Sequence, residues 1–492
     1  MIYRIILLYL LIVMMKESNC QNQMNNWFFG DSLLMTFSGG IMCDTVAGSI
    51  IQESSASISD DMGNLLFYTD GKYVWNRDHE IMPNGCCLDI DQYWEIGSSV
   101  TQGAHIIQRP SHINEYYIFI LSVNGLSYSV VDLSFDAGSG DIVLKNSTLI
   151  DHPLTEQMTS VKHANGRNWW LFVHKKGIEP DASNLFYKLL LTPDTITIET
   201  QEVGFSRMGN NFGQMIFSQD GSKMAIADTN CLEIYSFDRC EGLLEQLYFI
   251  PNADIALEKL YGCAFSPDGN KLYVSTEGLI EHSKLFQYCF NCNDPFPATK
   301  TLIYELISDV NFDVYEYTIG QIQLAANAKL YFTTSYTIFP NFIYSEETMN
   351  LNVINFPDVE GVSCDVDSNS IWLGGRRSLY GLPNYPNYNL GPLTDSECDT
   401  IITGIIDPIK SHTIDIYPNP TIGILNIEFS DPFIPQTIII TDISGTILIK
   451  EEISEKSGVP FNFDIENLKP GIYLISVSNN HGQIYHDKIV KL

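Results

Sequence analysis

Phe265-Ser266-Pro267-Asp268-Gly269-Asn270-Lys271-Leu272-Tyr273-Val274 is the stretch on which the fold turns. Asp268-Gly269 supplies the positive φ angles of a tight hairpin turn, the following polar residue faces water, and the apolar pair behind it enters a buried strand. A second copy is Phe217-Ser218-Gln219-Asp220-Gly221-Ser222-Lys223-Met224-Ala225-Ile226. Weaker copies run from Ile58 to Phe67 and from Asn165 to Leu171, and degenerate ones from Asn114 to Ile118, Ala326 to Phe332 and Asp367 to Leu373. The residues before the strands are Asn64, Glu115, Asn168, Lys223, Lys271, Lys329 and Ser370, at intervals of 41 to 58 residues. Units of about 40–50 residues, each holding several strands, are the mark of β-propeller blades. Seven copies predict seven blades over residues 25–390, with Trp27-Phe28-Phe29-Gly30 as the strand that closes the ring.

The composition agrees with an all-β chain. Aromatic residues make up 12% of 492, and no long helical periodicity interrupts the short apolar runs between Gly, Asn, Asp and Pro. The length calls for more than one folding unit. Acidic residues outnumber basic ones 59 to 27, a net charge of -32. Such a surface repels nucleic acid and anionic membranes, keeps a chain soluble, and can collect divalent cations.

At the start, Arg4 precedes an uncharged run from Ile5 to Met15, followed by Lys16-Glu17-Ser18-Asn19-Cys20-Gln21. Eleven apolar residues are too few to span a bilayer but match the core of a secretory signal, so residues 1–20 are read as a signal peptide. Lipidation at Cys20 is the alternative, although Ser18-Asn19 suits it poorly. No later apolar run is long enough to cross a membrane. Ten cysteines follow Cys20, and export would let them pair. Cys231 and Cys240 flank one strand-like run and suggest a local staple. Cys289-x-x-Cys292 stands without a second such pair, which points to a disulfide or two buried thiols rather than zinc. The partners of Cys86-Cys87 stay open.

Residues 391–412, with Gly391-Pro392 and Asp407-Pro408, read as a linker. Residues 413–492 then alternate apolar and polar positions between turns and predict a small Ig-like β-sandwich. Its ordered motifs are Tyr417-Pro418-Asn419-Pro420, the Asp442-Ile443-Ser444-Gly445 turn, Leu468-Lys469-Pro470-Gly471-Ile472-Tyr473, and a last strand with Lys488. This layout resembles the type A sorting domain of type IX secretion. That resemblance implies passage through the type IX machinery across the outer membrane, then removal of the tail by a sortase-like surface protease. The product would be secreted or anchored on the cell surface. The stretch from Ala56 to Gly71, with Val74-Trp75-Asn76, His79 and Met82-Pro83-Asn84-Gly85, is similar to the first blade of Bacteroidota surface propellers that carry such tails. Thr101-Gln102-Gly103, Tyr116-Tyr117-Ile118-Phe119 and Gly381-Leu382-Pro383-Asn384-Tyr385 extend the likeness, which supplies a fold and a compartment but no activity.

No zincin, nucleophile-elbow or phosphate-loop motif is present, so no catalytic residue and no cofactor is predicted. His79, His105 and His163 stand beside turns of different blades and could meet Asp70 or Arg109 at the propeller face; local roles in turns and core are the simpler reading. Asp365, Asp367 and Asn369 alternate as oxygen ligands of Ca²⁺ would, without the Gly and distal Glu of an EF-hand loop. Trp75, Trp94, Trp169, Trp170 and Trp372 could stack on sugars or fill blades. The expected function is a binding or interaction module for an extracellular ligand, glycan or protein. The alternatives are a propeller hydrolase or lyase acting on glycan or peptide at the central channel, and a structural surface component.

Overall fold

The hairpin turns set the architecture. The computed structural model describes residues 21–492 apart from 39, 90–92, 95–96, 123, 210, 253–257, 279–280, 308–309, 312–313, 316, 337–343, 395, 399–413, 430–434, 443–445, 453–460 and 480–483. The signal-peptide reading of residues 1–20 therefore lies outside the described residues. Residues up to Ile401 and from Ile402 onward form two compact units.

In the first unit, six four-stranded antiparallel sheets follow one another, each a simple meander. Blade 1 is built from Ala56–Ser59, Leu65–Thr69, Tyr73–Asn76 and Ile81–Cys86. Blade 2 holds Ala104–Gln108, Glu115–Ser122, Gly125–Asp132 and Asp141–Ile150, and blade 3 holds Leu154–Lys162, Trp169–Lys175, Ser183–Leu191 and Ile196–Arg207. Met215–Phe217, Lys223–Ala227, Cys231–Asp238 and Leu243–Pro251 make blade 4. Blade 5 is Glu258–Phe265, Lys271–Gly278, Ser283–Cys289 and Thr301–Leu306; blade 6 is Tyr317–Leu324, Leu330–Tyr336, Asn350–Ile354 and Val366–Trp372. Six of the seven sequence markers fall at the turn into, or at the start of, the second strand of a blade. The first strands are buried almost throughout, whereas fourth strands such as Ile196–Arg207 are mostly exposed, as expected of inner and outer strands in a propeller.

The seventh marker does not open a blade. Ser370 lies inside Val366–Trp372, the last strand of blade 6. Asn369 takes a φ of 55° where the register with Leu351 and Val353 shifts, so the Asp-Ser-Asn-Ser run marks a bulge and not a hairpin turn. The place between blades 6 and 1 is filled instead by a hairpin of Asn26–Thr36 with Met42–Ile51. Trp27 packs edge-on against Tyr331 of blade 6 at 5.8 Å, and Phe28 against Tyr68 of blade 1 at 4.2 Å. The closing strand expected at Trp27–Gly30 is part of this hairpin. Asp31 joins it to the far end of the domain through a two-pronged ion pair with Arg377, at 2.7 and 2.9 Å. Gly30, at φ 59°, lies against the Arg377 carbonyl, where a side chain would collide.

Buried amides close the middle of the ring. The Gln102 carbonyl oxygen accepts from Met215 N at 2.9 Å and its amide donates to Met215 O at 3.1 Å. Gln214 bonds Cys263 N and Ile322 N at 3.1 and 2.9 Å, and Gln321 reaches Thr101 O at 2.6 Å and Leu382 N at 2.8 Å. A side-chain amide carries a donor and an acceptor, so these glutamines satisfy backbone groups on other parts of the ring, across its centre. The segment after blade 6 crosses this centre. Tyr380 bonds Gln52 O, Asn384 bonds Met158 O at 2.8 Å, and the Tyr388 hydroxyl donates to Ile106 O at 2.7 Å.

The cysteines pair as Cys86–Cys87, Cys240–Cys398 and Cys289–Cys292. The staple expected between Cys231 and Cys240 does not form, and Cys231 is a buried thiol. Cys231 opens the eight-residue strand Cys231–Asp238 and Cys240 lies beyond its end, so at about 3.3 Å per residue the two stand more than about 20 Å apart. Cys398, inside the stretch read as linker, is fastened to blade 4, and Leu393 N bonds Ala164 O.

In the second unit, Ile414–Tyr417, Ile424–Phe429 and Phe461–Asp464 form one sheet. Ile447–Glu452, Pro435–Thr441, Gly471–Asn479 and Ile484–Lys491 form the other. Leu425, Ile427, Phe463, Ile438, Ile440, Ile475 and Val477 fill the core between them, the alternation expected of a small β-sandwich.

Candidate functional site

The turns that begin the second strands of blades 1, 2 and 3 surround an open groove of about 880 Å³. Its apolar floor is Tyr116, Trp169 and Tyr388, all buried, with Tyr388 edge-on to Trp169 at 5.7 Å. Lys162 rises beside this floor, its ammonium 5.0 Å from the Trp169 ring and 3.3 Å from Gly166 O. Burial, and then the nearby Arg239, hold its pKa below that of an ordinary lysine. Arg109 forms one wall: two of its nitrogens donate to Pro193 O at 3.0 and 2.8 Å, and a third meets Glu115 at 2.6 Å. Exposed Arg167 sits on the rim.

The acids of the groove are engaged locally. Asp60 accepts from Met62 N and Asn64 N at 2.9 and 2.8 Å, and Asp61 accepts from Gln23 at 2.7 Å. The lining thus offers Arg109, Lys162 and Arg167 beside Asp60 and Asp61, with Glu115 paired to Arg109, a near balance of charge on a chain of net -32. Amide and hydroxyl groups of Gln108, Ser111, Asn114 and Asn389 complete it.

Of Asp70, His79, His105, Arg109 and His163, only Arg109 lines this groove. Asp70 is buried in a turn at the other end of blade 1, accepting from Ser49 Oγ at 2.6 Å and from Lys72 N and Tyr73 N at 2.9 and 2.7 Å. Exposed His79 pairs with the Tyr68 hydroxyl at 3.1 Å. His163 accepts from Asn165 N at 3.0 Å within its own turn and packs beside Trp170. His105 is wholly buried between blades 2 and 3, with Nε2 2.7 Å from Ser160 Oγ. These four do not converge. Asp365 accepts from Asn355, Asp367 from Ser370, and Asn369 N donates to Asn352, each a separate local bond. Trp169 reaches the groove as its floor; Trp170 donates to Arg239 O at 3.0 Å inside the blade. Lys162, Arg167 and Tyr388 were not legible as a group, because they come from a strand end, a turn and the returning segment.

Burial pushes the pKa of His105 down to about 3, against 6.5 for a free imidazole. A depressed histidine contributes stability that is complete above the unfolded value near 6.5 and is lost as pH falls toward the folded one. The difference corresponds to as much as about 4–5 kcal/mol at the acid end. Urea midpoints should therefore drop between pH 6.5 and 4, and His105→Gln should flatten that part of the curve.

In the C-terminal unit, Asn419 of the Tyr-Pro-Asn-Pro run donates to Lys488 O at 2.5 Å and accepts from Val490 N at 2.9 Å. The motif thereby clips the start of the sandwich to its last strand, and Thr421 continues the pairing with Val490 and Leu492. Tyr473 donates to Lys469 O at 2.7 Å, fixing the turn that ends at Gly471. Gly445 lies outside the described residues. Residues 415–491 match the family of secretion system C-terminal sorting domains. The C-terminal unit is a type IX sorting domain. The sorting domain indicates secretion or attachment at the cell surface, and an interaction with the type IX secretion machinery. No helix among the described residues is long and apolar enough to cross a membrane.

Solved structures similar to the chain, all at low identity, include a β-propeller domain and two proteins named as lactonases. A protein of Bacteroides uniformis assigned as a 6-phosphogluconolactonase shares 12% identity over 72% of this chain and 97% of its own, with a TM-score of 0.43. The periplasmic gluconolactonase of Pseudomonas aeruginosa shares 15% over 85% and 98%, with a TM-score of 0.38. The Cps50 (Swd1) β-propeller domain of Myceliophteria thermophila shares 11% over 63% and 93%, with a TM-score of 0.37. No curated protein sequence matches the chain.

Proposed function

We propose that the protein is an exported binding module, a propeller that holds an acidic, hydroxyl-rich glycan in the groove of blades 1, 2 and 3. The groove itself carries this reading. It is wide and open, it has a rigid aromatic floor, and it places Arg109, Lys162 and Arg167 around amide and hydroxyl groups. Cations on a preorganised frame suit carboxylate or sulfate groups, while amides suit sugar hydroxyls. Asp70, His79, His105 and His163 lie in separate local bonds, which favours binding over a channel enzyme built from them. The sorting domain serves delivery and is removed on the way, so the intact mass of the secreted protein should lack Leu492.

Screening the secreted protein against neutral and acidic glycans tests the binding reading. Lys162→Ala with Arg167→Ala should weaken binding of an acidic hit by about tenfold or more, roughly 1.4 kcal/mol, without lowering the melting temperature by more than a few degrees. Equal binding by the double variant, or preference for acidic peptides over every glycan, would remove the proposal.

A further inference from the structure

The segment that follows blade 6 continues past the floor of the groove. After buried Tyr388, residues 389–394 run mostly exposed beside the blade 3 turn, as a strap that ends at Cys398. Cys398 is bonded to Cys240, which lies between the third and fourth strands of blade 4 and 158 residues away in sequence.

Two neighbouring residues of blade 4 grip this strap. Cys240 holds its far end through the disulfide, and buried Arg239 holds its middle, with Nη2 donating to Gly391 O at 2.6 Å. The same guanidinium donates through Nε to Lys162 O at 2.8 Å and through Nη2 to His163 O at 3.2 Å. Arg239 O in turn accepts from Ala164 N at 2.9 Å and from Trp170 Nε1 at 3.0 Å. One residue thus ties the strap to the turn that carries Lys162 and Arg167.

The strap also backs this turn directly. Leu393 N donates to Ala164 O at 2.8 Å, and Gly166, at φ 66°, lies so close to Pro392 that a side chain would overlap its ring. Gly166 O is the acceptor of the Lys162 ammonium. Two of the groove's cations therefore rest on a turn whose outer support is the strap. Little burial holds a strap so exposed, so the covalent tie at Cys398 carries much of its hold. That tie is within reach of solvent: Cys240 and Cys398 are half-buried, beside an open cleft of about 570 Å³ lined by Asp238, Glu241, Ser396 and Glu397.

Thiols stay reduced in a cytosol and pair in an oxidising compartment. We propose that Cys240–Cys398 is a redox latch on the groove. Closed after export, it holds the strap against the blade 3 turn and sets Lys162 and Arg167 for a ligand; opened, it frees the strap and slackens that turn. The latch acts on the binding site proposed above and so rests on that reading. Closure forms one S–S bond from two thiols, and two electrons and two protons pass to a disulfide oxidant, which is left as a dithiol. Opening is the reverse exchange: the thiolate of a dithiol attacks one sulfur, the other leaves as thiolate, and the reductant's second thiol completes its own disulfide.

Hydrogen exchange on the full chain, oxidised and then treated with dithiothreitol, is the test. The amides of Ala164, Gly166 and Leu393 should exchange about tenfold faster or more once reduced, and slow again on reoxidation with oxidised glutathione. The second strands of blades 2 and 6 should hold their rates. Cys240→Ser with Cys398→Ser should reproduce the reduced pattern without dithiothreitol and weaken an acidic glycan by about fivefold or more. Cys289→Ser with Cys292→Ser should do neither. Should the first serine pair fail to fold, the reduced and reoxidised wild type decides. If no acidic glycan binds the oxidised wild type, the reading of the groove fails while exchange at the three amides still judges the latch. Unchanged rates at those amides, faster exchange throughout the propeller, equal glycan binding by the Cys240 and Cys398 variant, or the same change from the Cys289 and Cys292 variant would overturn it.

Discussion

Arg207→Ala lowers the unfolding free energy by about 3–5 kcal/mol, the cost of breaking a buried ion network by removing one partner. Arg207 ends the last strand of blade 3 and is 1% exposed at its side chain. Its Nε meets Asp228 at 2.5 Å and its Nη2 meets Glu233, both in blade 4 and both fully buried. Glu233 also accepts from Phe205 N, Tyr235 and Gln246, at 2.8, 2.8 and 2.6 Å. Alanine therefore leaves two carboxylates without a cation in a place water does not reach. Combining Arg207→Met with Asp228→Asn and Glu233→Gln keeps acceptors for the surrounding donors while removing all three charges, and should recover at least half of the loss. Urea unfolding at pH 7 with an unchanged denaturant slope is the measurement. A cost of the single variant below about 1 kcal/mol would mean the network behaves like an exposed pair.

Asp31→Ala should cost a similar amount, about 3–5 kcal/mol, because it takes from buried Arg377 the carboxylate that receives Nε and Nη2. The same carboxylate accepts from Arg377 N at 3.1 Å, and Asp31 N donates to Arg377 O at 3.0 Å. These bonds join positions 346 residues apart and fasten the N-terminal hairpin to the segment that follows blade 6. Asp31→Asn retains an acceptor and should cost less. Proteolysis should show the difference in kind: the alanine variant opens first at the hairpin of Asn26–Thr36 and Met42–Ile51. Global unfolding with no earlier cleavage there would argue that this closure is not the weak seam.

What could be read from the sequence was local. Asp268-Gly269 and Asp220-Gly221 fix their turns by the backbone angles that glycine permits, so six blades declared themselves one at a time. Asp367-Ser368-Asn369-Ser370 offers the same residue types, but Asn369 uses its positive φ for a bulge, and residue type alone does not separate the two. The seventh position in the ring is filled from the other end of the chain, which no repeat can announce. The central amides left a faint trace: Gln102, Gln214 and Gln321 stand 8 to 13 residues ahead of three of the markers. The groove left none, since it draws single residues from several blades and gathers them only when the ring closes. The sandwich was more legible, because Tyr417-Pro418-Asn419-Pro420 and Lys488 sit in sequence where their strands meet in space.

Hydrogen exchange of the secreted propeller with and without its best acidic glycan tests the central claim most directly. Protection should concentrate in the turn at Asp60–Asn64, in Gln108–Asn114, and in the backbone around Gly166, Arg167, Tyr388 and Asn389. Protection confined to the outer strands, with the groove unchanged, would contradict it.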